Sequence, residues 1–201
     1  MKIAGKIAAM TLMAAMVGVA AEPRQPQQKL TVYLRENARV PPEVRAPALD
    51  LANKMFATIG IRLDWRSGEP PRTSSTRPIG IELATDTPAN LLPGALGSAM
   101  PYEGVHIRVF YDRIQSDVAP RSVLLAHVLV HEIAHILQGT DQHSKSGVMK
   151  AVWTHQDHVQ MRTEALPFTP QEVERIRLGL ASRASGAPIF AARDFIPAIA
   201  Q

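Results

Sequence analysis

The chain of 201 residues contains no cysteine. Disulfide staples are therefore excluded, as is a lipid-modified cysteine behind the apolar N-terminal run, and any extra constraint on the fold must come from elsewhere, a bound metal ion being one source. A basic stripe is missing too. Lys2 and Lys6 account for part of the formal charge of +4, which falls to +2 without them, and the other basic residues are scattered among acidic ones. Such a surface does not suit nucleic acid. A long hydrophobic run is also missing at the N-terminus: the apolar run from Ile7 to Ala21 has about 15 residues where a spanning helix needs about 20, which weighs against the alternative of a membrane anchor. No internal repeat and no second domain are visible, while 46% hydrophobic composition suffices for one buried core. A monomer is expected.

Residues 1–21, "MKIAGKIAAMTLMAAMVGVAA", place two lysines before that apolar run and small residues at its end, Val19-Ala20-Ala21. This is the pattern of a cleaved secretory signal, which implies a secreted or periplasmic protein with no stable membrane insertion. Residues 22–28, "EPRQPQQ", read as a flexible leader. Structure is expected from 29 to 182, with a C-terminal tail of no clear period over 183–201.

Within 29–182 the periods change in a definite order. "KLTVYLREN" (29–37) alternates as a strand, Val44, Ala48, Leu51, Ala52, Met55 and Phe56 recur at helical spacing until Gly60, and "IRLDWR" (61–66) alternates again. Strand, helix, strand is a parallel crossover unit. "IGIELATD" (79–86) is a third strand, and "ALGSAMP" (95–101) and "VHIRVFYD" (105–112) are two extended segments joined by a short turn. Residues 117–139 form a helix that opens at Asp117 or Pro120, is apolar on most sides and closes at Gly139, a position suited to a left-handed cap. Thr169-Pro170-Gln171-Glu172 is a capping box that starts a last helix running to about Leu180.

The chemistry lies at 131–149, "HEIAHILQGTDQHSKSGVM". His131 and His135 are four apart on a helix, so they lie one turn apart on one side, close enough to hold one zinc ion. Glu132 is offset by about 100° and reaches the open side of such an ion, where a general base for a zinc-bound water would act. Three polar groups buried on an apolar helix without partners would be costly, which favours a metal site over a chance pattern.

With Gly139 ending that helix, His143-Ser144 after it and Gly147-Val148-Met149 next, the stretch resembles the metzincin metallopeptidases, most closely the matrixin branch. The resemblance implies an α+β fold: a metzincin-like twisted mixed sheet of four to five strands with a crossover helix, a buried zinc-binding helix and a C-terminal helix. It implies His143 as third ligand beside His131 and His135, Met149 as the methionine-turn residue, and Leu96, Gly97, Ser98 and Ala99 as the edge strand that pairs with substrate. The activity it implies is that of a zinc-dependent endopeptidase acting on a peptide or protein substrate with one catalytic Zn2+.

The chain departs from the family at the third ligand. Family helices have glycine three residues after the second histidine and the third histidine three further on; here Gly139 is four on and His143 eight on. Asp141 occupies the family spacing and is a rival ligand. His143 is favoured because imidazole matches the two histidines already present and a slightly longer loop costs little. Lacking cysteine, the chain cannot use a cysteine-to-zinc latency switch.

Two other readings stand beside this one: a thermolysin-like site with Glu164, Glu172 or Glu174 as third ligand, and a zinc-stabilised domain that binds peptides without cutting them. Of the remaining residues, His127 is expected in the core or supporting a ligand, His106 as a half-buried structural histidine, and His155 and His158 on a solvated segment. Trp153 is expected either to wall the substrate pocket or to pack on the methionine turn.

Overall fold

Alternation builds the sheet. Leu30, Val32 and Leu34 point inward from β1 (Gln28–Glu36), Ile61 and Leu63 from β2 (Ile61–Ser67), Ile79, Ile81 and Leu83 from β3 (Ile79–Ala84), and Ile107 and Val109 from β5 (His106–Phe110). These positions make one apolar face, and the intervening residues make a charged one. On the charged face Arg35 and Arg108 both pair with Glu82, at 3.1 and 3.5 Å. All three side chains are half-buried, so the pairs satisfy charge on that face rather than standing free in solvent.

The computed structural model describes residues 28–71, 77–86, 94–103 and 105–185. The expected signal, nearly all of the leader and the chain from 186 onward lie outside them. The described strands form one sheet in the order β2-β1-β3-β5-β4. β1 pairs in parallel with β2 and β3, and β3 in parallel with β5; only β4 (Gly97–Ala99) runs antiparallel, against β5. The parallel β1/β2 pair, joined through α1 (Pro42–Ala57), is the crossover unit expected from the periods.

Helix α2 (Arg121–Gln138) begins after Pro120 and ends at Gly139, whose φ of 63° is the left-handed cap that glycine adopts without strain. Every residue from Leu124 to Gln138 is buried, because α2 meets α1, the sheet and α4 (Pro170–Ser185) on different sides. The approach of α4 is close. A Cβ on Gly179 would stand 1.6 Å from the Leu137 carbonyl oxygen, so glycine is what lets α4 touch the last turn of α2.

Three details differ from the pattern reading. β4 has only three residues, and β5 ends at Phe110 in a 3-10 turn, Tyr111–Arg113. A short helix, α3 (His155–Met161), occupies the stretch read as a solvated segment, started by a capping box between Thr154 and Asp157. Finally, α4 runs to Ser185, past Leu180 and past the expected start of the tail. None of the described helices is long and apolar enough to cross a membrane.

Candidate metal centre

His131 and His135 leave the buried side of α2 one turn apart, and the chain after Gly139 returns to bring His143 beside them. One ligand atom from each of the three lies within 4.8 Å of the other two. The rings of His131 and His135 stand edge to face with centroids 4.6 Å apart, and His143 stacks on His131 at 5.2 Å.

Both helical rings are held from behind. His131 Nδ1–H donates to the Val148 carbonyl and His135 Nδ1–H to the Thr140 carbonyl, each at 2.8 Å. A carbonyl only accepts, so the proton sits on Nδ1 and leaves the Nε2 lone pair free for a ligand. The two Nε2 atoms face each other across 3.0 Å. Two facing lone pairs repel unless a proton or a cation lies between them. The proton is disfavoured: burial, followed by the nearness of His135, pushes the His131 pKa down to about 3, and burial pushes that of His135 down to about 4. Two nitrogens each about 2.0–2.1 Å from a tetrahedral ion would be about 3.3 Å apart, near the separation seen. The three-imidazole donor set therefore fits a divalent ion of borderline softness.

Asp141 stands outside this group and is exposed, with its charge offsetting part of the desolvation felt by His135 and His143. The glutamates weighed as alternative ligands are elsewhere. Glu164 and Glu174 are exposed, and Glu172 is buried with both carboxylate oxygens engaged: Oε1 accepts from Ser144 Oγ–H and Oε2 from the Thr169 N–H at 2.7 Å.

Glu132 is buried against the end of the sheet. Its carboxylate accepts the Ala99 N–H, and its side chain fills the space over Gly97, where a Cβ would lie 2.7 Å from Oε1 and 2.9 Å from Cγ. Burial pushes its pKa up to about 8, with the Ala99 N–H opposing. A cation on the neighbouring imidazoles would also favour the carboxylate form. The short β4 strand thus does two things: it forms the last strand of the sheet and it holds the carboxyl group of α2. Leu96, just before it, is half-buried, its carbonyl accepting from the Phe110 N–H at 2.9 Å.

Met149 is buried, and its carbonyl accepts the Ser144 N–H at 2.8 Å, closing residues 144–149 into a loop directly after His143. Trp153 packs edge-on to His131 at 5.7 Å and to His127 at 6.1 Å. His127 is fully buried and bonded at both nitrogens, donating from Nδ1 to Val123 O and accepting the Leu166 N–H at Nε2, which makes it a core tie. His106 is a correction. Its apolar neighbours Ile107 and Val109 face inward, so alternation sends His106 outward with Arg108, and it is exposed beside Glu103. His155 is exposed, as expected for the segment, but His158 is half-buried and bonded to Ser116 Oγ at 3.0 Å.

The backbone has the fold of a known structure. The chain is similar to the crystal structure of archaemetzincin from Methanopyrus kandleri, with a TM-score of 0.53 and 14% identity over 80% of this chain and 99% of that one. At this identity the likeness speaks to the fold, and it bears out the metzincin-like α+β architecture implied by the residues at 131–149. No protein-family model matches the chain, and no curated protein sequence is detectably similar to it.

Proposed function

We propose that the protein is a zinc-dependent endopeptidase, matrixin-like in its methionine turn, that is exported to the periplasm or beyond and acts as a monomer on peptide or protein substrates. The observation that carries this reading is the pair of Nε2 lone pairs facing each other at 3.0 Å beside His143, with both Nδ1 protons fixed by carbonyls. His131, His135 and His143 would hold the ion. When bound, zinc supplies Lewis-acid polarisation of a carbonyl and makes water a usable nucleophile near neutral pH.

The chain's own residues supply the rest. Glu132 takes the proton of the attacking water and returns it to the leaving amine, a task that needs a carboxylate held still and close, as the Ala99 N–H and the space over Gly97 hold it. β4 closes one side of the sheet, so an extended peptide would add beside Gly97, Ser98 and Ala99 by main-chain hydrogen bonds. That brings a scissile bond next to Glu132, since β4 touches both.

The thermolysin-like alternative loses support because Glu172 is engaged elsewhere and Glu164 and Glu174 face solvent. The non-catalytic binding domain is separated from the enzyme by assay on a denatured general substrate. Chelator-sensitive cleavage restored by added zinc is the expected result. Zinc bound at one per chain without cleavage would favour the binding domain.

A further inference from the structure

We propose that Glu172, acting through Ser144, is a positioning residue that sets the place of His143 in the metal centre. The inference rests on the zinc reading above and asks how its third ligand is held. His131 and His135 are fixed by helix α2 and by the carbonyls of Val148 and Thr140. His143 has no such support from a helix. It is exposed and sits on the loop between Gly139 and Met149.

The residue after it is anchored through both its backbone and its side chain. Ser144 N–H donates to Met149 O at 2.8 Å in the bridge between Ser144 and Lys150, and Ser144 Oγ–H donates to Glu172 Oε1. Glu172 is almost fully buried in the first turn of α4, and its other oxygen accepts the Thr169 N–H. A hydrogen bond to an acceptor buried away from water is stronger than the same bond at the surface. The same helix is docked onto α2 where Gly179 meets the Leu137 backbone, two residues before Gly139. Helix α4 is thus a strut between the helix carrying two ligands and the loop carrying the third, with the Ser144–Glu172 bond as its contact on the loop side.

The capping role of Glu172 is separable from this one. Thr169 Oγ accepts the Glu172 N–H at 3.3 Å, so Thr169→Ala weakens the cap and leaves the Ser144 bond in place. Zinc affinity is measured at neutral pH by competition with a chromophoric chelator, and apo-protein melting is recorded for the same variants. Ser144→Ala should lose about 10–100-fold in zinc affinity, the range for groups that orient a ligand, while Ser144→Thr, which keeps the hydroxyl, should lose much less. Thr169→Ala should lower apo melting with zinc affinity near parental.

Glu172→Gln leaves one acceptor oxygen where two are in use and should weaken zinc in the same direction as Ser144→Ala but by less, which tests the link even if Ser144→Ala fails to fold. Parental affinity in Ser144→Ala and Glu172→Gln, with normal zinc in the parental chain, would overturn this inference alone. A parental chain that binds no zinc would overturn the metal reading and this inference together.

Discussion

His131 and His135 each commit one ring nitrogen to a backbone carbonyl, and this decides which nitrogen remains for a metal. His143 has no comparable bond among the described residues, so its suitability rests on place: its ligand atom lies within 4.8 Å of theirs, and Asp141 lies outside the group. We expect His143→Ala to lose most of its zinc affinity at neutral pH. Asp141→Ala should lose about tenfold, at the low end for a group that tunes a ligand without touching the ion. A larger loss in the aspartate variant would move the assignment to Asp141. At this scale the sequence was legible where spacing alone sets geometry: four residues on a helix put His131 and His135 on one side. Gly97 was placed on the substrate edge from resemblance, but its use as the space for Glu132 depends on α2 and β4 meeting, which no local period encodes.

Helix α2 shows why the element scale was also largely readable. Its apolar faces, the proline before it and the glycine after it are local signals, and the structure has Pro120 and Gly139 at its two ends. Helix α3 was missed because seven residues with a single buried position, Met161, carry no apolar stripe; only Thr154 and Asp157 announced it. The dependence of α4 on Gly179 gives a prediction whose sign runs against helix propensity. In an exposed helix, Gly→Ala gains about 1 kcal/mol. Here the new methyl group would meet the Leu137 backbone, which cannot rotate away, and overpacking of this kind costs about 1–3 kcal/mol or more. Gly179→Ala is therefore expected to lower the urea midpoint; an unchanged or raised midpoint would mean that α4 does not sit this close to α2.

For the molecule as a whole, the buried site makes stability depend on pH in two opposite senses. In the metal-free protein His131 and His135 have pKa values near 3 and 4, below the unfolded value of 6.5, so the unfolded chain binds more protons and stability falls as pH drops through that window. Glu132, at about 8 against 4.5, binds more protons when folded, so its contribution is lost as pH rises from 4.5 to 8. Chelated Glu132→Gln should accordingly gain stability over the chelated parent above pH 8, with the advantage shrinking toward pH 4.5, as read from melting temperatures across pH. A constant difference would mean that Glu132 titrates normally. The measurement that bears most directly on the central claim is hydrolysis of a denatured protein substrate by zinc-loaded Glu132→Gln. A general base at this position contributes 10²–10⁴-fold, so the variant should retain about one zinc per chain and its fold while losing at least that much activity. Cleavage at the parental rate by a variant with full zinc would contradict the account.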